Sequence, residues 1–314
     1  MSARVLDGTA IAAEIKEEVR REVETLAQSG IVPGLTVVLV GSDPASEIYV
    51  RSKVKTSAEL GLASNLITLG IDVSQAELLN ILQRLNDDDA VDGILVQLPL
   101  PRHIDTRAIL EAVDPDKDVD GFHPVNVGRL TIGQESLVPC TPAGVMEVLR
   151  RQGIAVRGKD CVMVGRSDIV GKPMSTLLLN AGATVAVCHK ETRDLPDYTR
   201  RAELLVVATG VPGLITPDMV REGAVLIDVG INRLDTRAQV ERFFPDNPAK
   251  LATFQKRGSL LVGDFAPQSY AKASAYTPVP GGVGALTIAM LMHNTVKAAR
   301  MRRRLRAAAV GGPA

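Results

Sequence analysis

Tryptophan is absent from this 314-residue chain, and aromatic residues make up only 3% of it. That argues against a stacking surface for single-stranded nucleic acid, which is built from aromatic rings. Net charge is missing as well: 36 Lys and Arg balance 36 Asp and Glu, so nothing draws the chain to a polyanion. Cysteine is scarce. Cys140, Cys161 and Cys188 are odd in number, far apart and form no CxxC, so they read as buried thiols in a reducing compartment, not as a disulfide frame or zinc site. No apolar run reaches the ~20 residues of a membrane span. The N-terminal MSARVLDGTAIAAEIKEEVRREVE lacks a secretory apolar core, and Asp7, Glu14, Glu17 and Glu18 count against a mitochondrial leader. The expectation is a cytoplasmic protein without nucleic-acid or membrane partners. The tail MRRRLRAAAVGGPA is basic, which suits a helix C-terminus, and its Ala/Gly/Pro end reads as frayed.

What is present is apolar and periodic. Hydrophobic residues reach 46%, enough for a substantial core in one or two domains. Strand-like runs alternate with helical patterns: LTVVLVG (35–41), a helix from about Ala45 to Leu60, SNLITL, a helix near 74–86, then DGILVQLPLP (92–101). After a loop-rich stretch from Asp114 to Val138 and a helix from Pro142 to Gln152 come VMVG (162–165), TVAVCH (184–189), ELLVVATG (203–210) and AVLIDVG (224–230). Continuous Val/Leu/Ile strands imply sheets covered on both faces, and the alternation implies parallel βαβ units. PCTP (139–142) reads as a domain boundary, with Pro142 in the first turn of a helix. The segment 231–264 is too long for a plain connection and has room for a short helix of its own.

The stretch CVMVGRSDIVGKPMSTLLLN (161–180) resembles a nucleotide-binding turn short of glycine: Ser167 and Val170 stand where a dinucleotide fingerprint has Gly. A helix N-terminus still favours an anion, Ser167 offers a hydroxyl and Arg166 a permanent cation. Lys190 follows the next strand where an NAD site has an acid, which suits a 2′-phosphate, although Glu191 is adjacent. The turn alone leaves two readings open: nucleotide binding, or a plain strand-turn-helix with a surface Arg.

A second set of polar residues precedes it. Tyr49 and Lys53 are four apart on a helix and so share one face, where a phenol and an amine can orient a proton or simply pack half-buried. Short-chain dehydrogenases also use Tyr-x-x-x-Lys, but after the nucleotide turn, not before it. Gln97 ends a buried strand, where α/β sheets place ligands. DPDKDVDGFHPVN gathers Asp114, Asp116, Asp118 and Asp120 around Lys117. The plain reading there is a solvated turn; an acidic metal site would need further hard ligands, and none cluster elsewhere.

Taken together, VGSDPAS..YV..K, DGILVQLPLP, DKDVDGFHPVN, PCTP, VGRSDIVGKP, DVGIN and TPVPGGVG, in this order from Leu6 to about Ala299, resemble the bifunctional methylenetetrahydrofolate dehydrogenase/methenyltetrahydrofolate cyclohydrolase family. The resemblance implies two α/β domains with a folate cleft between them, the second a Rossmann-like doubly wound parallel sheet. It divides the chain into a folate-binding catalytic part, 1–138 plus a returning helix 285–314, and an NADP-binding part, 139–284. It implies NADP as cofactor, lined by Gly165, Arg166, Ser167, Lys190 and Ile231, and no metal. It implies tetrahydrofolate substrates, touched by Tyr49, Gln97, Leu98, Pro99, Asp120 and the loop with Pro278, Gly281 and Gly282. Lys53, with Tyr49, Gln97 and Asp120, is implied as the catalytic set, and a homodimer as the assembly. The implied activity belongs to one-carbon metabolism: oxidation of 5,10-methylenetetrahydrofolate, then hydrolysis to 10-formyltetrahydrofolate.

The residue chemistry agrees. A pterin edge offers an N–H beside an amino group, which one carboxylate such as Asp120 accepts together. Hydride loss leaves a cationic carbon, beside which Lys53 is favoured as the neutral amine. Ala285 stands where the family commonly has Pro, Phe265 where it has Val, Lys190 where it has Ser, and 232–263 is longer than usual. Two rivals remain: a shikimate-dehydrogenase-like oxidoreductase, whose signatures do not include DKDVDGFHP or PVPGGVG, and a catalytically silent nucleotide- or folate-binding protein, against which Tyr49, Lys53, Gln97 and Asp120 count.

Overall fold

The computed structural model describes residues 3–245 and 247–310; the last four residues, read above as frayed, lie outside them. In chain order the elements are β1 (Arg4–Val5), α1 (Gly8–Gln28), β2 (Gly34–Val40), α2 (Pro44–Glu59), β3 (Ala63–Leu69), α3 (Gln75–Asp87), β4 (Gly93–Val96), α4 (Thr106–Glu111), α5 (Pro124–Thr131) and α6 (Cys140–Arg151). They continue with β5 (Asp160–Val164), α7 (Gly171–Asn180), β6 (Thr184–Cys188), α8 (Leu195–Thr199), β7 (Leu204–Val207), β8 (Val225–Asp228), β9 (Asn232–Leu234), α9 (Arg237–Phe243), α10 (Pro248–Arg257), β10 (Leu260–Val262), β11 (Ala275–Tyr276) and α11 (Val283–Val310). Among the described residues no helix is long and apolar enough to cross a membrane.

The chain divides into two compact units, Ala13–Cys140 with Ile288–Ala314, and Met1–Ala12 with Thr141–Thr287. In the first, β2 lies between β3 and β4 in a parallel sheet, with Val37 opposite both Leu66 and Leu95. Every residue of β2 and β4 is buried, as their unbroken Val/Leu/Ile runs require. Val38, Val40, Ile94 and Val96 pack with Leu78, Ile81 and Leu82 of α3 and Ile109 of α4. Helix starts follow their caps: Asp43 accepts from the Ser46 amide at 2.8 Å ahead of Pro44, and Ser74 from Glu77 at 3.2 Å. Helix α11 closes this unit, with Asn294 Nδ2 donating to the carbonyls of Val119 and Val138, both at 2.8 Å.

The second unit is built on a six-stranded parallel sheet in the order β1-β11-β8-β7-β5-β6. The first twelve residues group here because β1 pairs with β11 and extends this sheet. Leu205, Val207, Leu226, Ile215 and Phe265 form the centre of its core. The long 231–264 segment carries two helices: β9 and β10 pair antiparallel, Asn232 opposite Val262, and enclose α9 and α10. Phe243, Phe244, Leu251 and Phe254 pack there on Leu234, Val240, Leu260 and Val262, a small core of its own.

Candidate active site and cofactor turn

Lys53 lies one turn after Tyr49 on α2, and its ammonium donates to Gln97 Oε1 at 2.9 Å. Gln97 follows β4 directly; its backbone N–H still donates to Val38 at 2.8 Å, prolonging the sheet. Its side-chain Nε2 donates to the Leu98 carbonyl at 2.7 Å. That bond settles which end of the amide faces the lysine: the oxygen. The following Leu98–Pro99 peptide is cis. Tyr49 stands half-exposed, and among the described residues no hydrogen bond joins it to Lys53. The structure therefore brings Lys53 and Gln97 together and leaves the Tyr49 side chain half-exposed.

Asp120 belongs to the same group electrostatically. Burial of its carboxyl raises its pKa to about 6; Lys53 opposes that rise and Asp118 adds to it. The loop that carries it is not the solvated turn its composition suggests. Lys117 is 1% exposed, and its ammonium donates to the carbonyls of Leu85, Asn86 and Asp88 at 2.8, 2.7 and 2.7 Å, capping the C-terminal end of α3. Asp118 is buried too, bridges to Ile94 beside β4, and accepts from the His123 amide and Asn126 Nδ2. A run of four aspartates thus resolves into two buried anchors, Lys117 and Asp118, that present Asp120. Among the described residues no group of three or more His, Cys, Asp or Glu could hold a metal ion. The three cysteines are buried, and burial raises each thiol's pKa, Cys161 to about 12.

In the other unit, the turn from β5 to α7 makes a close backbone approach. Gly165 has φ +123°, and a Cβ there would fall 2.3 Å from the Ala208 carbonyl, so only glycine lets the turns after β5 and β7 approach so closely. Ser167 Oγ accepts from the amides of Val170 and Gly171 at 3.2 and 3.3 Å. Both lone pairs are engaged there, and the hydroxyl proton remains to donate. Arg166 meets Glu191 at 3.0 Å, both side chains largely in solvent, while Lys190 is exposed. Ile231 is exposed just beyond β8. Pro278, Gly281 and Gly282 lie in this unit, in the loop ahead of α11, with Gly281 at φ +98° and a cis Val279–Pro280 peptide.

Residues 6–120 match the family model for the tetrahydrofolate dehydrogenase/cyclohydrolase catalytic domain, and residues 139–303 the model for the NAD(P)-binding domain of the same enzymes. The chain belongs to the tetrahydrofolate dehydrogenase/cyclohydrolase family. It is 57% identical over 303 residues to the bifunctional protein FolD of Koribacter versatilis, covering 96% of this chain and 99% of that one. Among solved structures it resembles the bifunctional FolD enzyme of Campylobacter jejuni (48% identity, 96% and 100% of the two chains, TM-score 0.87). It also resembles the dehydrogenase-cyclohydrolase of Trypanosoma brucei, solved with NADP and an inhibitor (38% identity, 97% and 99%, TM-score 0.86). Neither matched family model is one of shikimate chemistry, so that rival is not favoured.

Proposed function

We propose that Lys53, held by Gln97, is the base of the hydrolytic step, and that Asp120, Tyr49, Leu98 and Pro99 receive the folate. The chain is a methylenetetrahydrofolate dehydrogenase and methenyltetrahydrofolate cyclohydrolase. It oxidises 5,10-methylenetetrahydrofolate to the 5,10-methenyl cation with NADP and hydrolyses that cation to 10-formyltetrahydrofolate. Bound NADP supplies the hydride acceptor, which leaves the bridging carbon of the substrate cationic.

The single observation that carries the residue roles is the Lys53–Gln97 hydrogen bond. Next to a cationic carbon an ammonium is repelled, so the neutral amine is the favoured form there. A neutral amide oxygen orients that amine without holding the proton on it, as a carboxylate would. The amine is then free to take the proton of the attacking water. Asp120, ionised above pH 6, accepts the pterin N–H and amino group together.

On the cofactor side, Gly165 gives close backbone approach, Ser167 a hydroxyl proton and Ile231 an apolar contact. Arg166 and Lys190 supply the charge that suits a 2′-phosphate. In this reading residues 1–138 with 285–314 form the catalytic folate-binding domain and 139–284 the NADP-binding one, with the first residues of the chain lending β1 to the sheet of the latter. The family likeness supports a homodimer working in the cytoplasm.

The test is one cuvette in which NADPH and methenyl-folate absorbance are followed together, for the wild-type enzyme and for Lys53→Gln. In the variant, NADPH forms, methenyl-folate accumulates and formyl product lags. Equal loss of both activities would reassign Lys53 to holding folate; undiminished hydrolysis would move the base to another group.

A further inference from the structure

Two buried aspartates with no assigned role lie at the C-terminal ends of β7 and β8. Asp228, the last residue of β8, and Asp264, two residues past β10, are 1% and 0% exposed. Asp228 accepts from the amides of Gly230, Asp264 and Phe265 at 3.1, 2.9 and 3.2 Å, and from the Tyr270 hydroxyl at 2.9 Å. It thereby fixes the backbone at Asp264 and the residue after it. Asp264 Oδ2 accepts from the Thr209 amide at 2.6 Å, the Thr209 hydroxyl at 2.9 Å and the Gly210 amide at 3.1 Å. Its Oδ1 accepts from Asn232 Nδ2 at 2.8 Å.

The packing around the pair admits nothing else. A Cβ at Gly230 would fall 2.2 Å from Asp264 Oδ1, and one at Gly263 would fall 1.8 Å from Asp228 Oδ2. The glycines of DVGIN and LVGDF are thus explained by the carboxylates beside them. Burying a carboxylate costs free energy that apolar packing would not, and it is offset only when every oxygen is matched to donors. What this arrangement secures is geometry. The Thr209–Gly210 turn follows β7, and the carbonyl just before it, that of Ala208, is the one Gly165 approaches. Ligands of parallel sheets lie at such strand ends.

We propose that Asp264 is a positioning residue of the cofactor crevice. It holds the Thr209–Gly210 turn and Asn232 in place beside the Gly165 turn, while Asp228 holds Asp264. This rests on the reading that NADP lies at the C-terminal ends of β5 and β7. In Asp264→Asn one oxygen becomes an NH2. If the remaining oxygen serves Thr209, that NH2 faces the NH2 of Asn232; changing Asn232→Asp as well turns the conflict back into a hydrogen bond.

The experiment is calorimetric titration of NADP into the full chain, beside hydrolysis of methenyltetrahydrofolate measured without cofactor. For Asp264→Asn the NADP Kd rises about tenfold or more, as loss of a charge-assisted contact set implies. Cofactor-free hydrolysis changes less than twofold, and the Asn232→Asp/Asp264→Asn exchange brings NADP binding back to within about threefold of wild type. An unchanged Kd in Asp264→Asn overturns the inference. So does a matched loss of hydrolysis and binding that the exchange does not repair, because a general loss of structure would do that. Thr209→Val, which removes one donor and leaves the carboxylate, tests the same point if Asp264→Asn does not fold: weaker NADP binding supports it and an unchanged Kd refutes it. Arg166→Gln runs alongside. Should it weaken NADP while both turn variants do not, the crevice is right and Asp264 is not its support; should none of them move NADP, the crevice itself is misplaced.

Discussion

Lys53 and Arg166 are two of the cations on which the functional reading depends, and they are held in opposite ways. Lys53 is half-buried and donates to a neutral amide oxygen at 2.9 Å. Arg166 is about half-exposed and meets a carboxylate, Glu191, at 3.0 Å. A base has to shed its charge during turnover, and a neutral acceptor lets it do so. A phosphate-binding cation keeps its charge throughout and has only to change partners. An exposed ion pair is worth roughly 0–1 kcal/mol, so a phosphate can displace Glu191 at small cost. The identity of the partner, more than that of the cation, separates the two tasks.

The largest effect that would sharpen this contrast comes from Lys53→Gln, for which the cyclohydrolase rate drops about 10²–10⁴-fold, the usual worth of general base assistance. The dehydrogenase rate falls far less, because hydride transfer relies on positioning shared among many contacts. Gln97→Glu attacks the contrast directly by giving Lys53 a charged partner. A carboxylate in that position holds the proton on the amine by charge and hydrogen bond. Hydrolysis should fall by about 10–10³-fold; an unchanged rate in Gln97→Glu would separate Gln97 from the base.

Asp120 gives the next effect. With its pKa near 6, folate affinity in the wild type holds above that pH and weakens as the carboxylate is protonated below it, by up to about tenfold per pH unit. Asp120→Asn lowers affinity at neutral pH and flattens the acid limb, with NADP binding unaffected. A wild-type affinity that is flat from pH 7 to 5 would remove the carboxylate from recognition. On the cofactor side two substitutions act with opposite sign. Arg166→Gln weakens NADP selectively over NAD by roughly 1.5–3 kcal/mol, and Glu191→Gln tightens NADP by at most about fivefold, by removing a competitor. Parallel losses of NAD and NADP in Arg166→Gln would place the guanidinium on the pyrophosphate instead.

Much of the fold was legible because its strands are long apolar runs: β2, β5, β7 and β8 lie where LTVVLVG, VMVG, ELLVVATG and AVLIDVG predict them. Lys53 and Gln97 were legible as motif residues, and the structure adds the bond between them. What stayed hidden depends on distant partners. Lys117 looks solvated among aspartates, yet the carbonyls that justify its burial come from a helix end about thirty residues earlier. Asp264 meets Thr209 across 55 positions and its amide meets Asp228 across 36; no local pattern announces either. Helix α5 was masked by loop-like composition, although His123 caps it and Pro124 starts it. Strand β1 is two residues long, too short for any periodicity to show.

The β9–β10 pair and the Asn232–Asp264 bond have a consequence for how this chain tolerates change in length. Both ends of the excursion are fastened to one carboxylate and to each other, so what lies between them need not span any fixed gap. Once a stem is closed, lengthening the chain beyond it costs little, about 0.6 kcal/mol per doubling. An insertion made between α9 and α10, outside the small core those helices build on β9 and β10, should therefore leave the strand ends beneath in register.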